Sequence, residues 1–573
     1  MMIHLTRRAL RTLCALLTAL VFTLTAVLVS AQPGDQGSAQ AIGATGRGEA
    51  GAVVAAQGTI VKAVYSDKPP VMTKEQAQEF EAHTAESNRS GPIQPALTAP
   101  FEANRGPETM LPAHTVMATS SADAAPTGDV SIAAAGDFTI FRNSVIPQSA
   151  IAGGYSYASN TQEPSTGVNG KNIFQTGNWY ASRSFNNGAG WSYLNPFSIF
   201  GSGFCCDQVT LYVPSRNRQF WLLQYGNNLK LANTSGTDLF TNWCYYTITP
   251  SWFGQPSTTR LDYNDLAVSN NYIYITTNLF GTSSTASGIL RIPIDPMLTC
   301  SGFGTSYITR TDSFTFKPVQ GATDVIYWGS NWGQTNGSSF RIYSWAENSG
   351  TYYWYDRAIS AFNFMYRNSG QNCGSANGVV KNWCQWNDSR VLSGYVAKGV
   401  LGFSFDAKQG SGYPFPYSRR VYFRESDKVY LGASSLWGSW GAHQYLSLTP
   451  NARGGIGGSF AWGGGTGTTS YYPGSAVLID DDFAPNQPWS ISFYLWGQGN
   501  TCQSRDSGSG LYLYRWGDYL TVRPFYPSAY TWVATGYSIK GAHCGATGWY
   551  AEPHNVLFGR ARDAQSVYRW WNS

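Results

Sequence analysis

The sequence predicts an all-β fold: a single six- or seven-bladed β-propeller over residues 131–573, behind a signal peptide and a low-complexity N-terminal segment. Three observations carry this. From about Ala133, short β-branched and aromatic runs alternate with Gly, Asn, Asp and Ser, and hairpins recur where helical periodicity does not. A polar residue opening a small or apolar strand returns about every 60 residues, slightly above the usual propeller repeat. No linker-like stretch interrupts the chain after residue 130, which disfavours a row of separate sandwiches.

The N-terminus reads as an export signal over residues 1–31. Arg7, Arg8 and Arg11 precede an apolar run from Leu13 to Val29, and Val29-Ser30-Ala31 offers the small residues of a cleavage site. The run is barely long enough to span a bilayer and contains several Thr, so cleavage is favoured over an uncleaved anchor. No later segment is apolar enough to cross a membrane. Residues 32–130 are rich in Ala, Gly, Gln, Thr, Ser and Pro and poor in Trp and Tyr. Such a composition buries little apolar surface and reads as a linker or propeptide, or as a chain packed along the propeller's outside. One short helix is expected at Thr73-Lys74-Glu75-Gln76, a capping-box pattern followed by Ala77 and Phe80.

The propeller region follows. Val268–Thr276 is a strand–turn–strand; Phe340–Trp345 pairs with Tyr352–Tyr355, and Arg420–Phe423 with Lys428–Leu431. The recurring strand starts are Asp207, Asp265, Asp324, Asp388, Arg453 and Asp518, with Asn172–Thr176 as a candidate earlier unit. If each start opens the innermost strand of a blade, these residues converge on one mouth of the central channel. Converging carboxylates repel, which raises some pKa values as a general acid requires. Asp207, Asp265 and Asp388 are therefore the catalytic candidates. Arg390, Arg453 and Arg523 lie at or near the same starts and are candidates to bind substrate bidentately, together with Asp518 and Tyr519. For any single Asp, capping a turn or bonding blade to blade is the simpler role.

Composition narrows the partners. The chain carries +5, of which Arg7, Arg8 and Arg11 supply three, so about +2 remains after cleavage. Without a basic run there is no nucleic-acid footprint. Charged residues make up 12%, about half the usual share, while 21 Trp and 36 Tyr suit packing between sheets and stacking on sugar rings. Eight cysteines remain beyond Cys14, an even number that fits disulfides in an exported chain. Cys373 and Cys384 are spaced to close one loop, and Cys502 and Cys544 to close another. Adjacent Cys205 and Cys206 either pair elsewhere or stiffen the mouth beside Asp207. No cofactor is expected and no metal motif occurs, although calcium would be compatible with a carboxylate-lined channel. H-E-x-x-H, G-x-S-x-G and phosphate-loop motifs are all missing. His443, near Tyr445, is the alternative base for a lyase. Asn387-Asp388-Ser389 forms a sequon inside the proposed channel, which fits a bacterial source or an unused site.

Ser184-Phe185-Asn186-Asn187-Gly188-Ala189-Gly190-Trp191 resembles the S-x-D-x-G-x-x-W box of the sialidase-like propeller superfamily, with Asn186 where that family has Asp. The box in that family is a hairpin turn far from the active site, so the resemblance implies a fold and not an activity. Arg515-Trp516-Gly517-Asp518-Tyr519 also looks like a last-blade motif of secreted propellers of this kind. In sialidases three Arg bind a sugar carboxylate, a Tyr–Glu pair supplies the nucleophile and an Asp the acid/base; the early Phe-Arg-Ile-Pro motif has a partial echo at Phe141-Arg142, broken by Asn143-Ser144. The expected function is a secreted, monomeric glycoside hydrolase acting on an extracellular poly- or oligosaccharide. A polysaccharide lyase on the same fold and a non-catalytic carbohydrate-binding propeller are the alternatives.

Overall fold

The computed structural model describes residues 42–68, 108–110, 138–147 and 162–571, apart from 282–284, 314, 332–336, 411, 468–469, 482–493, 497–515 and 541–549. The expected helix at 73–80, the signal segment, Cys502 and Cys544, and the side chains of Cys205 and Cys206 lie outside the described residues.

The recurrent turn-separated strands form seven antiparallel meanders in chain order: 165–194, 204–248, 260–310, 317–358, 391–436, 442–496 and 522–560. The first strand of each meander lies against the first strand of the next, and the first strand of the seventh returns to that of the first. This closed ring of innermost strands around an axis is the arrangement of a β-propeller. Between the fourth and fifth meanders the contact becomes hydrogen-bonded: Lys317–Gln320 and Val391–Ala397 pair in parallel through Val319–Gly394 and Gln320–Tyr395.

Aromatic side chains fill the gaps between sheets. Phe174 of the first meander meets Trp221 of the second edge-on at 5.1 Å, and Trp221 meets Trp243 at 5.2 Å. Phe340 of the fourth meander packs on Phe403 of the fifth at 5.0 Å. Each such fully buried ring stabilises the fold by roughly 1.5–3 kcal/mol, which explains the high aromatic content without invoking a ligand.

The N-terminal segment forms an outer belt. Gly46–Glu49 pairs antiparallel with Thr351–Ala358, Gly51–Ala55 with Phe303–Arg310, and Thr59–Lys62 with Asn242–Ile248; Ser66 then bridges Tyr193. The belt thus crosses the outer edges of meanders four, three, two and one, in that order. Glu108–Met110 adds in parallel to Tyr430–Leu436 of the fifth meander, and Phe138–Val145 is the fourth strand of the seventh. Ring closure therefore joins a segment before the first meander to the last strand, Tyr550–Arg560.

The Gly-rich composition of the belt has a steric cause. A Cβ at Gly46 would overlap the Trp354 ring. A Cβ at Gly58 would lie 2.6 Å from Cys244 Sγ and 2.8 Å from Cys300 Sγ, since the belt crosses a Cys244–Cys300 disulfide that ties the second and third meanders together. Gly58 N–H also donates to Cys300 O at 3.0 Å. Only glycine lets the backbone approach this closely. The expected Cys373–Cys384 disulfide forms in the connection before the fifth meander.

The degenerate box is a hairpin turn between Ala181–Ser184 and Ser192–Leu194. Asn186 Oδ1 accepts from Gly190 N at 2.8 Å and Ser184 Oγ from Gly188 N at 2.8 Å. An amide oxygen here does what a carboxylate oxygen would do.

Candidate functional site

The innermost strands begin at one mouth of the channel, and at that mouth four of them are irregular. Between Phe204 and Gln208 the strand advances four residues while its partner advances two, Tyr225 to Leu223. Single-residue bulges occur at Asp262–Asp265, Val391–Ser393 and Gln444–Ser447. Two of them place a non-glycine residue in the left-handed region, Tyr263 at φ 55° and Tyr445 at φ 61°. Such strain persists only where the surroundings hold it, and bulges re-aim side chains. Here they bring polar groups to the channel.

Most of the sequence-derived candidates meet at this mouth. Asp207 is buried, and its side chain hydrogen-bonds Glu163 of the segment leading into the first meander. Burial and the charge of Glu163, with smaller effects from Asp262 and Asp518, push the Asp207 carboxyl well above the usual carboxylate range. Glu163 is held in turn by Asn178 Nδ2 at 2.7 Å and by the Asp518 backbone N–H at 3.0 Å. Asp388 is the opposite case. Burial raises its pKa, but Arg390 overcomes this, donating from Nε at 2.7 Å and Nη2 at 2.8 Å, with Arg367 at 3.6 Å. The Asp388 carboxyl therefore stays below its usual range.

Arg390 also reaches Asp518 at 3.3 Å and covers the Tyr263 ring at 4.7 Å. Asp265 pairs with Lys317 at 2.9 Å. Tyr263 and Tyr519 stand edge to face at 6.1 Å. Burial, the largest effect on both, pushes these phenols well above their usual range, so neither is poised as a base. One mouth thus holds a carboxyl pushed well above its usual range and hydrogen-bonded to a second, and another clamped by guanidinium and held below its usual range. Two carboxylates with pKa values driven apart can divide acid and base roles.

Two expected positions differ. Arg453 lies in the turn between Ala442–Pro450 and Ile456–Gly464, at the other end of the channel, paired with Asp563 at 2.7 Å. Asp324 precedes the second strand of the fourth meander, where Asn270 Nδ2 donates to it at 2.8 Å. Hairpin spacing locates strands without saying which strand of a meander each one is. In the fourth meander the innermost strand starts at Lys317 instead. Asn172–Thr176 is likewise a second strand, and Ser165–Asn169 precedes it. Glu163 and Lys317 were missed by the sequence reading. The signal for Glu163 was a charge just ahead of the first meander, hidden because that repeat is shorter than the others.

His443 is packed against Phe460 at 5.5 Å and Trp440 at 5.0 Å, with Nδ1 3.2 Å from Gly441 O. Asn387 of the sequon is buried, its Nδ2 2.8 Å from Gln444 Oε1 and 2.5 Å from Asp406 Oδ2, a packing that leaves no room for a glycan. Phe141-Arg142 lies on the outermost strand of the seventh meander, where Arg142 bonds Asn555. Among the described residues no cluster of three or more His, Cys, Asp or Glu is arranged to hold a metal ion, and no helix is long and apolar enough to cross a membrane.

No family model and no curated protein matches this chain. Among solved structures, the chain is similar to a Penicillium chrysogenum α-L-arabinanase complexed with arabinobiose, at 8% identity over 74% of this chain and 99% of that one, with a TM-score of 0.34. It is similar to the propeller of Dos1 at 8% identity, over 74% of this chain and 95% of that one, with a TM-score of 0.34. It is also similar to a subtype N10 neuraminidase-like protein of A/little yellow-shouldered bat/Guatemala/060/2010, at 6% identity over 56% and 96% of the two chains, with a TM-score of 0.32.

Proposed function

We propose that this chain is a secreted carbohydrate-active enzyme, a glycoside hydrolase built on a seven-bladed propeller whose acid and base stand at the channel mouth formed by the starts of the innermost strands. The observation that carries the reading is the contrast between Asp207, buried against Glu163 with its carboxyl pushed above the usual range, and Asp388, clamped by Arg390 with its carboxyl held below it. In this reading Asp207 protonates the leaving glycosidic oxygen, is left as a carboxylate, and regains its proton from water before the next turnover. Asp388, with Asp265 as the second candidate, faces the opposite side of the sugar ring as base or nucleophile. Arg390, Asp518 and Tyr519 orient the substrate, and Arg523 reaches the mouth only through Asp265.

The chain is further proposed to lose residues 1–31 on export, to act as a monomer, and to carry its propeller within residues 131–573. N-terminal sequencing of the secreted protein and its mass in solution check the first two.

The experiment is mass spectrometry of products from the full chain incubated with a polysaccharide panel. Fragments that have gained water establish the hydrolase. Fragments one water lighter would make the protein a lyase. Retention on a polysaccharide without fragments would make it a binding module, with the carboxylate cluster a structural network.

A further inference from the structure

The channel has a second end, formed where the innermost strands finish. A cavity of about 590 Å³ lies there, and all seven meanders contribute to its wall. Its charged lining is entirely cationic: Lys398, Arg453 and Arg523. Two aromatic rings also line it, Tyr212 and Tyr526, with centroids 6.0 Å apart. Arg453 is offset by Asp563 at 2.7 Å, and Lys398, whose stem lies along Gly454, stands exposed at the rim.

Arg523 is the informative residue. It is only 9% exposed, yet its buried Nε has no hydrogen-bond partner among the described residues. The carboxylate in its reach, Asp265, is 4.0 Å away and is already engaged by Lys317 at 2.9 Å. Arg523 also lines the narrow space of about 20 Å³ that continues up the channel beside Lys317 and Tyr519. A buried guanidinium with an unmade hydrogen bond is costly unless something else supplies the acceptor. The cavity beside it is much larger than an inorganic anion needs, and it offers aromatic faces as well as cations.

We propose that this cavity is a second binding site, at the opposite end of the channel from the carboxylate cluster, that takes a carboxylate-bearing sugar, a uronate or a short oligosaccharide containing one. Arg523 anchors the carboxylate, Lys398 adds charge at the rim, and the Tyr212 and Tyr526 rings pack against the apolar face of the sugar. The proposal stands whether or not the other mouth hydrolyses glycosides, because it uses none of the residues proposed as acid or base.

Isothermal titration calorimetry of the full-length secreted protein with glucuronate, glucose and inorganic phosphate tests it. Saturable glucuronate binding is expected, with glucose and phosphate each weaker. Arg523→Gln should weaken glucuronate binding by at least about tenfold, the loss of a charge-assisted hydrogen bond. Should that buried substitution prevent folding, Lys398→Ala at the exposed rim should still weaken binding about threefold or more, while Asp207→Asn should leave it intact. Absence of glucuronate binding would overturn the proposal. So would equal binding of glucose, tighter binding of phosphate, indifference to Arg523→Gln and Lys398→Ala in folded protein, or a loss in Asp207→Asn as large as in Lys398→Ala.

Discussion

The innermost strands and the outer belt solve opposite problems with the same backbone. At the channel mouth, extra residues are inserted into the strands, and the bulges gather Asp207, Asp262, Asp265, Asp388 and their cations into one charged cluster. In the belt, side chains are removed, and glycines let a bare strand lie over Trp354 and over the Cys244–Cys300 disulfide. The first arrangement spends stability on a polar cluster held in strained backbone. The second adds edge pairing to sheets that are already formed. Disturbing the mouth should therefore damage chemistry and global stability, and disturbing the belt should damage local order alone.

The largest expected effect is on turnover. Asp207→Asn should lower kcat by about 10²–10⁴-fold on whichever substrate the panel identifies. The alkaline limb of the wild-type rate profile should lie above the ordinary carboxylate range, because burial and Glu163 push the Asp207 carboxyl up, and it should vanish in the variant. Full activity in Asp207→Asn would erase the chemical half of the comparison.

Next comes Arg390→Met, which leaves buried Asp388 with Arg367 at 3.6 Å in place of its bidentate clamp, at a cost of about 3–5 kcal/mol, measured by denaturant unfolding. The double variant with Asp388→Asn should recover much of this. A further contrast is in pH. Asp388, with its folded pKa depressed, contributes stability that is present above its unfolded pKa near 3.8 and lost as pH falls through the folded value. Asp406 lies beneath the mouth, where burial pushes its pKa up to about 7. Its folded state holds the proton more tightly than its unfolded state, so its contribution falls as pH rises from about 4 through about 7. The unfolding midpoint of Asp406→Asn should be flatter than wild type across that window.

Belt variants should do less. Gly58→Ala forces the strand off the disulfide and should cost about 1–3 kcal/mol of local stability, read as faster proteolysis around residues 46–62 with the main melting transition in place. Val54→Ser, at a belt position 81% exposed, should change stability by less than about 0.5 kcal/mol. A global loss from either would make the belt part of the cooperative core.

Much of the mouth was legible because charged strand starts are rare in a chain so poor in charge. Asp207, Asp265, Asp388, Asp518, Arg390 and Tyr519 form one connected cluster, which Arg523 touches only through Asp265 at 4.0 Å. Arg453 and Asp324 were misplaced because a polar residue before an apolar run marks a strand start without giving its rank in the meander. The bulges could not be read, since a bulge is a register difference between two strands and neither strand alone contains it. The belt strands were hidden for a related reason. Gly and Ala in series look the same whether they solvate a loose chain or clear a path over aromatics, and the aromatics in question lie hundreds of residues away.

That separation has a consequence for assembly. Gly46 pairs opposite Trp354, so about 300 residues must be made before the belt's first strand has a partner. At ordinary synthesis rates of about 5–20 residues per second, this is a wait of roughly 15–60 s. Phe138–Val145 waits longer still, for Tyr550–Arg560. The segment made first is among the last to be placed, and the order in which the belt meets its sheets need not follow the order in which they emerge.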